Sequence, residues 1–267
     1  MSATGAASRL QRKPGFAVAA RLGHAVNGLL HLLIGVVAFR LATGTGGGGG
    51  ADQSGALGSI AQTPGGRVLL WIIVVGLVGL GLWQLVETVL ARGDDAKGTW
   101  AARAKELGKA VAYLVIASTA LRFATGGSSD SSEQTQSLSA RVLAAPGGVV
   151  MLVLVGLGVI AVGIYFAYKG GTKRFREDIS VPAGSLARGI TALGVAGYIA
   201  KGVALVAVGV LFVVGAVTAD PSRATGLDGA LQSLAQLPAG VAVLAITGLG
   251  LIAYGLYCGA RARYATL

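Results

Sequence analysis

Two histidines, an asparagine, a lysine and a glutamate are the residues of this chain best placed to do chemistry. His24, Asn27 and His31 interrupt an otherwise apolar run. At 3.6 residues per turn, histidines seven apart share nearly one helical face, with Asn27 beside it. Imidazole titrates near neutrality, so His31 is a candidate proton-transfer group; the plainer expectation is a neutral ring bonded to a carbonyl of a neighbouring helix. Lys201 breaks a second apolar run, and Gln84 and Glu87 end a third. A Lys201–Glu87 pair would keep both charges near the interface, and Lys201 reaching the headgroups is the alternative. His24, Asn27, His31, Lys201 and Glu87 therefore form the candidate intramembrane polar cluster.

Other chemistries find less support. Two histidines on one helix cannot clamp a haem from both faces, and the only methionines are Met1 and Met151. The single cysteine, Cys258, allows neither an intramolecular disulfide nor a cysteine zinc cluster. There is no G-x-S-x-G, H-E-x-x-H or Walker loop. The expectation is a protein that is not an enzyme, with no cofactor and no metal.

The elements that carry these residues follow from composition. The 267 residues are 54% hydrophobic and 12% charged, with 44 glycines and a mean hydropathy of +0.71. Soluble domains carry about 25% charged residues, so the chain reads as lipid-embedded. Six apolar runs, centred on 22–42, 67–87, 107–125, 147–168, 197–218 and 239–260, each approach the roughly 20 residues a helix needs to cross a bilayer. Lipid offers no partner for free backbone groups, and alternating barrel strands are absent, so helix is expected for all six. Arg21, His24, Asn27 and His31 break up the first run too much for a signal peptide.

Net charge is +11, and sixteen of the 22 Lys and Arg lie before the first run, between the second and third (with Lys109 at the edge of the third), between the fourth and fifth, or after the sixth. The positive-inside rule then places both termini in the cytoplasm. No nucleic-acid recognition motif accompanies the charge, so no nucleic-acid partner is expected.

GALGSIAQTPGG (55–66) and GALQSLAQLPAG (229–240) agree at eight of twelve positions, at an offset of 174. The register also matches Gly23, Gly28 and Gly35 with Gly197, Gly202 and Gly209, and Gly76, Gly81 and Trp83 with Gly250, Gly255 and Tyr257. A third, weaker copy matches at an offset of 82 through Pro146, Gly158, Gly163 and Tyr165, with LGKAVAYLV (107–115) resembling LGHAVNGLL (22–30). His31 has Ile116 and Leu205 as repeat equivalents, which favours its plainer role. The unit is a pair of crossing helices, made three times. It predicts an all-α membrane protein, six transmembrane helices in three tandem helical-hairpin repeats, packed as a pseudo-threefold bundle because same-sense copies can be related only by an axis along the membrane normal.

The corresponding segments are an N-terminal cytoplasmic tail (1–17), repeat 1 (18–92), a cytoplasmic linker (93–103), repeat 2 (104–169), a basic cytoplasmic connector (170–185) and repeat 3 (186–267). Pro64, Pro146 and Pro238 are expected in the first turn of the even helices, where a missing N–H costs nothing. Gly76, Gly81, Gly158, Gly163, Gly250 and Gly255 are the expected packing residues, letting backbones approach. Trp83, Tyr165 and Tyr257 fall about 28 Å along their helices, at headgroup level. Leu57 and Ile60, like Leu231 and Leu234, allow either a short interfacial helix or an apolar loop. The polyglycine run 46–50 and SSDSSE (128–133) read as flexible loops. Glu87, Lys169 and Arg261 share one repeat position at the inner helix ends, where interfacial solvation accounts for them.

The G-[HY]-x-[AV]-x-G starts of the first and fifth helices, with GLDGALQSLAQLPAG (226–240) and GLGLIAYGLYCGARARY (248–264), resemble the bacterial integral membrane family named for domain of unknown function 1206. The resemblance covers residues 21–265. It implies repeated helix pairs in a bacterial plasma membrane, and no activity or catalytic residue comes with it. Lys173, Arg174 and Arg176, in KGGTKRFREDIS (169–180), could attract anionic lipid headgroups at about 1 kcal/mol each, or simply set topology. The expected function is that of a non-enzymatic helical bundle in the lipid bilayer acting through lipid or membrane-protein partners, including self-association into a homo-oligomer. The alternative is a small-solute, ion or proton carrier whose path runs along the pseudo-symmetry axis and is lined by His31, Asn27 and Lys201.

Overall fold

A computed structural model describes residues 14–45, 50–91, 96–180 and 184–264, and among these it contains helices and no strand. The basic N-terminal stretch, most of the polyglycine run and parts of the two basic linkers lie outside the described residues. Among the described residues, six helices are long and apolar enough to cross a membrane: α1 (Pro14–Ala42), α3 (Gly66–Leu90), α4 (Ala96–Ala124), α6 (Gly148–Gly171), α7 (Ser185–Val217) and α9 (Gly240–Tyr264). We call α1, α4 and α7 the leading helices of the three repeats, and α3, α6 and α9 the trailing ones.

A short helix precedes every trailing helix: α2 (Gln53–Ala61), α5 (Ser131–Leu143) and α8 (Gly226–Ala235). The apolar-loop alternative therefore falls away. Leu57, Ile60, Leu231 and Leu234 are all buried. Of the SSDSSE segment, 128–130 is a loop as expected, while 131–133 opens α5 with Asp130 as its cap. The Asp130 side chain accepts from the N–H groups of Ser132 and Glu133, satisfying two of the donors a helix N-terminus leaves open.

The turn between each short helix and its trailing helix has one design. The N–H of Gly66 donates to the carbonyl of Thr63 at 2.9 Å, Gly148 to Ala145 at 2.9 Å, and Gly240 to Leu237 at 2.7 Å. The third residue is left-handed, with φ 77° at Gly65, 75° at Gly147 and 60° at Ala239. This is a type II turn with proline at its second position. Pro64, Pro146 and Pro238 thus stand one residue ahead of the helix cap and not within the first helical turn, a correction to the expected placement. The closing glycine is needed for space, since a Cβ there would land on the carbonyl oxygen of Ile60, Val142 or Leu234.

The chain divides into two compact units, one holding residues up to Asn27, Ile60–Ser128 and from Cys258 onward, the other Gly28–Ser59 and Ser129–Tyr257. In the second unit, α6 and α7 meet at backbone distance. A Cβ added to Gly163 would lie 2.8 Å from the Gly202 carbonyl oxygen, and one added to Gly209 would lie 2.6 Å from that of Gly156. Trailing helix α9 meets leading helix α1 in the same way: Gly35 would collide with the Gly248 carbonyl at 2.6 Å and Gly255 with that of Gly28 at 2.6 Å. Gly156 and Gly163 correspond in the repeat to Gly248 and Gly255, as Gly202 and Gly209 do to Gly28 and Gly35. Small residues let backbones approach where lipid removes the hydrophobic incentive for association.

The first unit holds the related α3–α4 contact. There Gly81 faces the Leu114 side chain at 2.9 Å, and the position equivalent to Gly156 is Val74. Within repeat 1, Gly76 packs on Val26 at 2.9 Å; within repeat 3, Gly250 packs on Ala200 and Gly197 on Tyr254. Gly158 departs from its expected packing role. A Cβ there, or at Gly108, would meet nothing within 4 Å.

Candidate functional site

The expected polar cluster divides between the units. His24, Asn27 and Glu87 belong to the first, and His31 and Lys201 to the second. In the first unit, His24 and Asn27 on α1 are buried, and the Asn27 Nδ2 donates to the Cys258 Sγ at 3.5 Å. On α4, Glu106 pairs with Lys109 at 2.7 Å. On α3, Gln84 is buried and its Oε1 has no hydrogen-bond partner among the described residues.

In the second unit, His31 and Lys201 both engage Tyr254. The His31 ring stands edge-on to it with centroids 4.8 Å apart. The Lys201 Nζ donates to the Tyr254 hydroxyl at 3.3 Å and lies 4.4 Å from that ring's centroid and 5.0 Å from that of Phe166. Ammonium over aromatic faces is attracted by the ring quadrupole, about 2 kcal/mol or more when desolvated. Lys201 is therefore held by α6 and α9 side chains as well as by any reach toward the interface.

Tyr254 is one edge of a larger aromatic cluster. Tyr198 meets it at 5.2 Å and 90°, stacks on Phe175 at 5.2 Å and 13°, and lies 5.7 Å from Phe166. The Tyr257 hydroxyl donates to the Phe175 carbonyl at 3.2 Å. Tyr257 is fully buried and Trp83 nearly so, so both rings pack within the protein; Tyr165 alone of the three is exposed.

Phe175 explains the shape of the segment after α6. The 3-10 turn Arg174–Asp178 holds it with no exposed surface, its ring against Gly194 of α7. Lys169 binds Asp178 at 2.6 Å, closing the turn onto α6. Pinned this way, the turn presents Lys173 and Arg176 opposite Arg188 around an open depression of about 580 Å³. Its wall is α7, through Ala192, Val195 and Ala196. Thr191 also lines it, but its hydroxyl is spent on the Ala187 carbonyl at 2.7 Å. Of the expected headgroup contacts, Lys173 and Arg176 share this groove, whereas Arg174 lies 5.3 Å from the centroid of the Tyr168 ring. Arg188, in sequence only one of the topology-setting charges, supplies the third cation. Its spacing from Thr191 and Val195, at three and seven, puts all three on one helical face and was the available signal.

The short helices of the second unit carry a further polar group. Asp52 is buried and accepts from the Ser54 hydroxyl at 2.7 Å and the Gly55 N–H at 2.9 Å, and the Ser54 Oγ in turn accepts from the Ser131 N–H at 3.1 Å. Asp228 accepts from the Ala51 N–H at 2.7 Å. Burial pushes the Asp52 carboxyl above its ordinary value of 3.8, with the charges of Asp228 and Asp130 adding to the rise and the Gly55 and Ser54 bonds opposing it. Nothing in the sequence alone joins these aspartates, although Asp130 with Glu133 three residues on is a recognisable helix-start pattern.

Comparison with known proteins follows this repeat architecture. The family described as Domain of Unknown Function (DUF1206) matches residues 22–91, 105–173 and 196–265, one stretch per pair of crossing helices. A relative named "Uncharacterized protein YxxB", from Bacillus subtilis (strain 168), is 36% identical over 260 residues, which is 95% of this chain and 93% of the relative. No solved structure matches. With three matched stretches and six membrane-crossing helices, the chain belongs to the DUF1206 family and is a multi-pass, all-α membrane protein of three tandem helix pairs.

Proposed function

We propose that the protein is a non-enzymatic membrane bundle that acts through lipid or protein partners at the end of the helices where the Phe175 turn lies. The single observation that carries this reading is the groove of Lys173, Arg176 and Arg188, a preformed cationic recess on an otherwise tightly packed helix pair. The packing of Lys201 and His31 against Tyr254 supports it, because these side chains are occupied by aromatic neighbours. By the positive-inside rule this end faces the cytoplasm, with both termini on the same side.

The test is affinity purification in mild detergent, followed by proteomics and lipidomics. A stoichiometric protein partner, an oligomer or a selectively retained lipid is the expected result; repeated recovery of a bare monomer with bulk lipid composition overturns the proposal. One observation favours a second reading, a small-solute or proton carrier: Gln84 holds a buried carbonyl oxygen without a partner among the described residues, in the same unit as buried His24 and Asn27. Flux into proteoliposomes that is abolished by Gln84→Leu and Asn27→Leu would establish the carrier instead.

A further inference from the structure

We infer that the groove beside the Phe175 turn is a site for one anionic phospholipid, its phosphate held by Lys173, Arg176 and Arg188 and an acyl chain lying along α7. This rests on the reading of a partner-dependent bundle and names one partner's chemistry. Three side chains of one sign converge on a single recess, and all three are exposed. Like charges gathered around one recess raise the local positive potential and draw an anion toward it. The nearby acids do not serve. Asp178 is engaged by Lys169 at 2.6 Å, and Glu177 is exposed and does not line the recess.

The wall identifies the anion's other end. From Arg188 to Ala196 the groove follows eight residues of α7, about 12 Å at 1.5 Å per residue. Along that distance the lining is Thr191, with its hydroxyl turned to the helix backbone, then Ala192, Val195 and Ala196. A free phosphate would need only the charged mouth. A phosphate ester carrying an alkyl chain also covers the alanine wall, and α7 is one of the membrane-crossing helices, so such a molecule is at hand in the bilayer. The arginines suit it because a planar guanidinium can bond two phosphate oxygens at once. The mouth is held in place before any ligand arrives, since Phe175 between Lys173 and Arg176 is locked into the aromatic cluster.

The experiment compares delipidated protein with phosphatidylglycerol, phosphatidylcholine, or inorganic phosphate added, reading the shift in thermal unfolding and the lipid retained in native mass spectrometry. Phosphatidylglycerol is expected to raise the unfolding temperature by several degrees, and phosphatidylcholine and inorganic phosphate are not. Each cation removed, in Arg188→Gln or Arg176→Gln, should lower retention about fivefold, the ratio equivalent to the roughly 1 kcal/mol per basic residue at an anionic surface. Arg223→Gln, placed on the 3-10 turn after α7, should leave retention unchanged. If a charge variant fails to fold, the lipid co-purifying with the unaltered protein decides, and it should be enriched in anionic species over the bulk membrane. Equal shifts from both lipids, a full shift from phosphate alone, or retention unaffected by Arg188→Gln overturns the assignment. A lipid-indifferent protein that still binds a stoichiometric protein partner would sink this inference and leave the proposed function standing.

Discussion

The α3–α4 contact and the α6–α7 contact join the same two kinds of helix, a trailing helix and the leading helix of the next repeat, yet they are built differently. At α6–α7 each of four glycines faces a carbonyl oxygen of the opposing backbone, and at α9–α1 Gly35, Gly248 and Gly255 do the same, with Gly28 supplying the carbonyl that Gly255 meets. At α3–α4 one glycine, Gly81, faces a leucine side chain, and Val74 stands where the others have glycine. The difference teaches that repeat identity alone does not fix a helix contact. Backbone-to-backbone approach needs glycine on both helices at both crossings, whereas a side-chain contact tolerates whatever fills the gap. Two of the three equivalent contacts have kept the demanding version.

The largest expected effect separates these contacts directly. Gly163→Ala sets a methyl against the Gly202 backbone, which cannot move aside without parting the helices, and should cost about 1–3 kcal/mol. Gly81→Ala presses on Cγ and Cδ2 of the Leu114 side chain, which can change rotamer where a backbone cannot, so its loss should be under about 1 kcal/mol. Denaturant titration in a fixed detergent measures both, and equal losses would break the comparison. A smaller effect of opposite sign is expected for Gly158→Ala and Gly108→Ala. With nothing within 4 Å, the added methyl gains helix propensity and should stabilise by roughly 0.5–1 kcal/mol. A loss at Gly158 would mean that it packs as Gly76 and Gly250 do.

The third effect lies in the segments between the crossing helices and depends on pH. The folded state raises the Asp52 pKa above 3.8, so the folded chain holds that proton more tightly than the unfolded chain. Stability from this group is therefore present below 3.8 and is lost as pH rises through the raised value. Asp220, held below 3.8 first by the Ser222 hydroxyl, has the opposite sign and loses its contribution as pH falls through its lowered value. Asp52→Asn, whose amide oxygen can still accept from Ser54 and Gly55, should flatten the rise in unfolding temperature on acidification. An unchanged profile would show that the Asp52 burial does not control it.

The sequence by itself determined the membrane class, the six crossing helices, the three copies and most of their boundaries. These follow from quantities each residue carries alone or with its near neighbours: apolar length against bilayer thickness, and glycine and proline at fixed intervals. Even the type II turn was half written in T-P-G-G, A-P-G-G and L-P-A-G. Only the tertiary structure decided which glycines touch. Gly156 and Gly248 took a place the repeat pattern had not assigned, and Gly158 lost the one it had. Only the tertiary structure, too, sent Lys201 to Tyr254 and joined Arg188 to Lys173 and Arg176. The physical reason is that a helix's face is fixed by its sequence, but the face it meets belongs to another helix. Contacts such as Phe175 with Tyr198 and Tyr257 depend on distances between segments that no local pattern encodes.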